Sequence, residues 1–364
     1  MFSYIHIPFC SSKCKYCRFA STASLDKLKI QTYTEKLINE IENFNRPLSK
    51  ESGLKSVYFG GGTPSVLDIK QISKILETLK TKFGFEENIE ITLESTPQNI
   101  NSKNLVSWNN LGINRLSMGV QTLNEDSLKE IGRDDKSVIL KALDEVKKIN
   151  PPAFNHSLKE GGLINISLDF IIGLPHTKKG ETKKDIEYIL ENYPFIKHIS
   201  VYMLEDHYYN FETILSEDDY LQEYNEVRDF LNTRGFNFYE LSNSAQDGYE
   251  CKHNIAYWKH SEMLAFGLGT HGFVNNTRYS NSETFKGYYA GKIEEEKLTE
   301  NDIFLEKIMF DIRTNGISIE FLEKLNKNKI EEFLETGFLE MKDDKLILTK
   351  KSYSLGDFII REII

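Results

Sequence analysis

From Ser3 to Tyr202, short apolar runs alternate with longer stretches in which apolar residues recur every three or four positions. The short runs are Tyr4–Ile7, Lys55–Phe59, Ile89–Leu93, Arg115–Val120, Ile164–Ile171 and His198–Met203, and their length and β-branched content predict strands. Between them, Ile30, Tyr33, Leu37, Ile41 and Phe44 fall on one helical face, as do Ile69, Ile72, Ile75, Leu76, Leu79 and Phe83. Further helices are predicted over Lys103–Leu111, Lys136–Ile149, Lys183–Leu190 and Asp218–Asn232. A succession of strand–helix units implies parallel strands with helices packed outside. Six strands are fewer than the eight that close a βα barrel. The expected fold is therefore α/β, a partial (β/α)6 TIM-like barrel, with a doubly wound sheet as the alternative.

Beyond Phe236 the alternation stops. A strand-like Phe238–Leu241 leads into Gly248-Tyr-Glu-Cys-Lys-His-Asn-Ile-Ala-Tyr-Trp and then the small-residue run Gly267-Leu-Gly-Thr-His-Gly. Helical stretches over Ile303–Ile312, Ile319–Asn326 and Ile330–Glu335 precede a hairpin-like pair, Phe338–Met341 and Leu346–Leu348. Three regions are expected: residues 1–235 as the barrel core, 236–298 as a connecting segment, and 299–364 as an α+β, winged-helix-like domain. The stretch from Pro151-Pro152 to Gly161-Gly162 reads as a turn-rich surface insertion before the fifth strand.

Composition narrows the class. With 364 residues, 40% of them hydrophobic, the chain can bury a large core. A formal net charge of −10 argues against nucleic acid as a partner, because neutralising a phosphate backbone takes clustered Lys and Arg. No run approaches the ~20 apolar residues of a membrane-spanning helix. Met1 leads almost at once into a strand-like run, with no basic and apolar signal segment. A soluble, cytoplasmic protein is expected, and monomer and homodimer are both left open.

Three of the four cysteines, Cys10, Cys14 and Cys17, stand in one loop after the first strand. The Cys-x3-Cys-x2-Cys spacing brings three thiolates to one side of the loop, which suits a cubane iron–sulfur cluster with one iron left open. Structural zinc is the weaker reading, since it wants four protein ligands and the fourth would be His6, which alternates with Ile5 and Ile7 as a strand residue does. A disulfide framework does not fit one and a half cysteine pairs in a chain of this size. In βα barrels the chemistry gathers on the loops after the strand C-termini. Gly60-Gly61-Gly62-Thr63-Pro64 follows the second strand, Glu94 the third, Gln121 the fourth and Gly173-Leu174-Pro175 the fifth. The glycines serve either a close backbone approach to a ligand or a tight turn. Glu94 is placed to accept hydrogen bonds from ribose hydroxyls. Asp169, flanked by apolar residues, would be costly to bury alone, so a ligand or an arginine is expected beside it, with Arg133 the candidate counter-ion.

The cysteine loop, with Tyr16 before its last cysteine, resembles that of the radical S-adenosylmethionine (SAM) superfamily. Tyr-Ile-His-Ile-Pro-Phe-Cys, Gly-Gly-Gly-Thr-Pro-Ser, Asn-Arg-Leu-Ser-Met-Gly-Val-Gln and Gly-Leu-Pro narrow the likeness to the group of oxygen-independent coproporphyrinogen III oxidases and HemW-type heme chaperones. The resemblance covers nearly the whole chain. It implies a [4Fe–4S] cluster on Cys10, Cys14 and Cys17, with SAM on the open iron and its reductive cleavage to a 5′-deoxyadenosyl radical. It further implies SAM contacts from Tyr4, Gly61 and Glu94, and from Tyr16, Gly62, Thr63, Gln121, Arg133 and Asp169, which match positions lining SAM or a second SAM in the oxidases.

Two features separate the branches. The oxidases resemble one another in a further cysteine two positions after the third and in a long N-terminal extension; here Phe19 occupies the first and Tyr4 leaves no room for the second. HemW-like chains carry His-Asn-x-x-Tyr-Trp, matched by His253-Asn254-Ile255-Ala256-Tyr257-Trp258. An imidazole beside two large aromatics suits axial ligation of heme iron, and equally an ordinary core histidine. With the resemblance, His253 is the expected heme ligand, and Cys251 and His271 are runners-up. Thr270, Leu268 and the Asp134-Asp135 pair depart from the usual family pattern. The expected function is a heme chaperone that passes heme to an acceptor hemoprotein, with oxidative decarboxylation in porphyrin biosynthesis as the alternative.

Overall fold

All six apolar runs are strands of one sheet: β1 (Phe2–Ile7), β2 (Leu54–Gly61), β3 (Phe85–Ser95), β4 (Arg115–Gln121), β5 (Asn165–Ile172) and β6 (His198–Met203). The computed structural model describes residues 1–48, 53–149, 165–204 and 215–364; the Pro151–Gly162 insertion lies outside the described residues. Neighbours from β1 to β6 pair in sequence order and in parallel. The helices between them form for local reasons. Over Ile69–Phe83, for example, Asp68 makes a capping box with Gln71, and Ile72, Ile75, Leu76 and Leu79 bury one stripe against the sheet.

Strand alternation decides what each face of the sheet does. Ile5, Ile7, Val57, Phe59, Ile91, Leu93, Leu116, Met118, Leu168 and Phe170 point outward into the helix-covered core. The positions between them, including Tyr58, Glu94, Arg115, Ser117, Gln121, Asp169 and Ser200, line one cavity. Side chains from β2 to β6 share that cavity because the sheet curls, as a partial barrel must; a flat sheet would spread them across ~5 Å per strand.

The sheet is larger than the pattern predicted. It has 12 strands, and the six predicted ones are its middle. Met263–Phe266 adds a seventh parallel strand outside β1, followed by the antiparallel His271–Val274, Thr277–Asn281 and Ile293–Lys297. On the other side, Asn243–Ala245 pairs antiparallel with β6, and Asn237–Phe238 pairs antiparallel with Asn243–Ala245 in turn. The seventh strand has four residues, all buried, so it carries no alternation to mark it.

Between these two additions, residues 246–262 form a strap under the strand N-termini. Gln246 N–H bonds Lys197 O, Asn165 donates to Tyr249 O, Lys252 Nζ reaches Asn88 O, and Ser56 bonds His253. The chain thus passes beneath β6, β5, β3 and β2 in turn before joining β1.

A second core gathers Ile308, Ile312, Ile317, Ile330, Phe333, Leu346, Leu348, Ile360 and Ile363. Helices Glu300–Asp311 and Lys327–Glu335 flank a three-stranded antiparallel sheet of Ile317–Ser318, Lys345–Leu348 and Leu339–Lys342, which is winged-helix-like. The predicted helix over Ile319–Asn326 is a 3-10 turn, Ile319–Lys324, and a final helix, Gly356–Ile363, closes the core.

Candidate functional site

The cysteine loop is pinned where β1 ends. Phe9–Cys10 pairs with Thr22–Ala23, which returns the loop alongside itself. Gly62 N–H donates to Ile7 O at 2.8 Å and Thr63 N–H to Phe9 O at 2.9 Å, so the glycine turn after β2 grips the loop from beside. Thr63 Oγ1 also lies 3.6 Å from Cys10 Sγ. Two of the glycines are required here. Gly61 has φ of +113° and a Cβ on it would come within 2.5 Å of the His6 ring; a Cβ on Gly62 would meet Cys10 Sγ at 2.9 Å.

Cys10 is buried while Cys14 and Cys17 are partly exposed, and burial raises the thiol pKa of Cys10 and of Cys17. All three line the mouth of a cavity of about 410 Å³. Among the described residues, no three thiol, imidazole or carboxylate groups are close enough to hold a single metal ion. Three thiols at one mouth that do not converge on one point fit a multi-iron cluster, in which each thiolate takes a different iron. The zinc reading loses its fourth ligand as well: His6 Nε2 faces Ala20 O at 2.8 Å and Nδ1 faces Tyr4 Oη at 3.2 Å.

Tyr16, Gly61, Gly62, Thr63, Glu94, Gln121, Arg133 and Asp169 line the same cavity as the cysteines. Glu94 accepts from Tyr58 Oη at 2.9 Å and from Gly61 N–H at 3.1 Å, and burial pushes its carboxyl up to about 7 against those bonds. An ionised Glu94 would hold a ligand's ammonium or hydroxyls. Arg133 donates to Gly119 O and sits 3.9 Å from Cys14 Sγ, a cation beside a thiol of the loop. Gln121 ends β4 at φ of +69°, where the register with β5 shifts.

Asp169 corrects an expectation. Its oxygens accept from Ser117 Oγ at 3.0 Å and Ser167 Oγ at 3.5 Å, not from Arg133. Burial raises its pKa despite these donors. The arginine whose charge it feels is Arg115, which the sequence motif contained but did not single out.

Tyr4 and His253 stand apart from the cavity lining. The Tyr4 ring lies beside Gly60 and stacks on Tyr58 at 6.1 Å. His253 is buried in helix Lys252–Trp258 of the strap, its Nδ1 bonded to Ser56 Oγ at 2.8 Å and its pKa pushed down to about 3 by burial. Glu90 accepts from the N–H groups of Lys252 and His253 and from Cys251 Sγ, capping the helix from β3. Of the three heme-ligand candidates, His253 and Cys251 are floor residues, and His271 is exposed.

The comparisons agree with this geometry. Residues 4–192 match the model of the radical SAM superfamily. The chain is 31% identical to the heme chaperone HemW of Lactococcus lactis, covering 100% of this chain and 97% of that one. It is 28% identical to HemW of Bacillus subtilis over 98% of this chain and 97% of its relative. The coproporphyrinogen III oxidase HemN of Escherichia coli, a radical SAM enzyme, superposes with a TM-score of 0.80 at 20% identity, covering 99% of this chain and 89% of its own. That likeness establishes the shared fold of partial barrel and C-terminal α+β unit. Membership of the superfamily implies SAM and a [4Fe–4S] cluster, and the donor set above fits both. The chain belongs to the radical SAM superfamily and, within it, to the HemW family.

Proposed function

We propose that the protein is a heme chaperone, which binds heme, carries SAM on a [4Fe–4S] cluster held by Cys10, Cys14 and Cys17, and delivers heme to an acceptor hemoprotein in the cytoplasm. The observation that supports it most is full-length similarity to proteins named heme chaperones. Phe19, 61% exposed at the mouth where the oxidases carry a further cysteine, points the same way. In this reading Glu94 and Gly61 position the cluster-bound SAM, and Tyr4 supports them from behind by stacking on Tyr58, which bonds Glu94. Tyr16, Gly62, Thr63, Gln121, Arg133 and Asp169 line the remaining space, and His253 ligates heme iron once its bond to Ser56 is released.

The test is anaerobic reconstitution of the cluster, titration with heme followed at the Soret band, and a parallel assay of coproporphyrinogen III with SAM and a low-potential reductant. One-to-one heme binding weakened in His253→Ala, with no protoporphyrinogen formed, supports the chaperone. Protoporphyrinogen formation that is lost in Cys14→Ala replaces it with the oxidase.

A further inference from the structure

The cysteines line the cavity at the strand C-terminal side, and Arg115 lines it at the strand N-terminal side, its floor. It is the first residue of β4, is 2% exposed, and lines the cavity. Its Nε is buried without a partner, and among the described residues no carboxylate lies within ion-pair distance of its guanidinium. The nearby acids are engaged elsewhere: Glu90 caps the strap helix, Asp169 accepts from Ser117 and Ser167, and Glu94 accepts from Tyr58 and Gly61. Asp169 and Glu94 feel the arginine's charge without contacting it. Tyr58 Oη donates to Glu94 and Tyr239 Oη bonds His198, so neither turns to the arginine. Burial works against the charge, but a guanidinium stays protonated in proteins and the Glu90 carboxylate nearby favours it, so the side chain remains a cation.

A buried arginine that serves the fold is normally paired, because an unpaired buried charge costs several kcal/mol on the order of magnitude. Five N–H donors in a planar fork at the lining of a cavity are the complement of a carboxylate. We infer that Arg115 is an anion subsite that receives the carboxylate of a ligand reaching the cavity floor. The ligand is not the SAM seated on the cluster. A SAM on the cluster keeps its amino-acid end at the cysteine loop, while Arg115 lies at the far end of β4, two residues below Ser117, which is in register with Glu94. A second carboxylate-bearing group is therefore needed. Two sources share that chemistry, a porphyrin propionate and the amino-acid carboxylate of a second SAM; the first rests on the heme reading above and the second does not.

The experiment uses the full chain with its cluster reconstituted without oxygen, as wild type, Arg115→Met and Arg115→Lys. Each is titrated with hemin, with hemin dimethyl ester, and with SAM to saturation. If a propionate is bound, Arg115→Met loses hemin affinity by about tenfold or more, the worth of a charged hydrogen bond, and binds the diester as wild type does. If a second SAM is bound, its stoichiometry falls from two to one in Arg115→Met. Arg115→Lys, which keeps the cation but not the fork, falls between. Wild-type affinity and stoichiometry in Arg115→Met for both acids overturn the assignment. Should neither variant fold, a wild type that takes one SAM and does not distinguish hemin from its diester overturns it as well. A wild type that binds no hemin refutes the heme reading alone, and the SAM count still decides Arg115.

Discussion

The two ends of the cavity are built from similar residues to opposite ends. At the mouth, thiols, a carboxyl and a guanidinium are half-buried and loosely committed, with Cys14 facing Arg133 at 3.9 Å and Glu94 poised near neutrality. At the floor, almost every polar atom is spoken for: Glu90 by three donors, His253 by Ser56, and His198 by Ser167 and Tyr239. Among the described residues the exceptions are Arg115 Nε, Thr92 Oγ1 beside it in the β3–β4 register, and Asn165 Oδ1, and of these the arginine alone is charged. Chemistry-bearing residue types are thus not enough to mark a site. What distinguishes the mouth is spare bonding capacity, and among the unpartnered groups of the floor Arg115 is the charged one.

The largest test of that contrast removes a group from each end. Cys14→Ala is expected to abolish cluster reconstitution, read as iron and sulfide content at background, while costing the ligand-free fold only about 1 kcal/mol at a partly exposed site. Glu90→Ala is expected to do the reverse, lowering stability by about 3 kcal/mol in denaturant melts through three lost acceptor contacts to a charged group. Equal destabilisation by the two would erase the distinction.

The two ends should also titrate in opposite directions. Glu94 is raised from 4.5 to about 7, so its contribution to stability is present below pH 4.5 and is lost as pH rises through 7. His253 is lowered from 6.5 to about 3, so its contribution is present above pH 6.5 and is lost as pH falls toward 3. Stability of the ligand-free protein against pH, compared among wild type, Glu94→Gln and His253→Asn, reads the two slopes separately. For the ribose hydroxyls of SAM the ionised carboxyl is the stronger acceptor, so SAM affinity should rise severalfold between pH ~6 and ~8 and lie flat and weak in Glu94→Gln. Ser56→Ala gives the smallest effect, about 1 kcal/mol of stability from one buried hydrogen bond. If His253 is an iron ligand, the same change frees its Nδ1 and tightens heme binding, which the Soret titration measures.

The mouth was legible in the sequence because its chemistry is local. Cys10, Cys14 and Cys17 share one loop, and the glycines and Glu94 fall at strand ends that periodicity locates. The floor was not, because it is assembled from residues far apart along the chain. Nothing near Glu90 announces that it caps a helix beginning at Lys252, and nothing near Asp169 says that Ser117 and Ser167 serve it where Arg133 was expected. Arg115 did carry a signal: it alternates with outward-facing Leu116 and Met118, so its inward direction follows once β4 is a strand. The seventh parallel strand escaped because four consecutive buried residues show no period. For His253, the aromatic neighbours that suggested a heme ligand are also those of a packed floor, where its ring lies 5.0 Å from that of Tyr58.

The strap under the strand N-termini has a consequence for how the barrel comes to exist. Among the described residues no hydrogen-bond ladder joins the two sides of the six-stranded core to each other, and the span from Gln246 to Met263 ties them instead. Synthesis runs from the N-terminus, so every strand of the core leaves the ribosome before its fastener does. During that interval the cysteine loop and the polar face lie open to the surroundings, and the enclosure forms only when the last piece arrives.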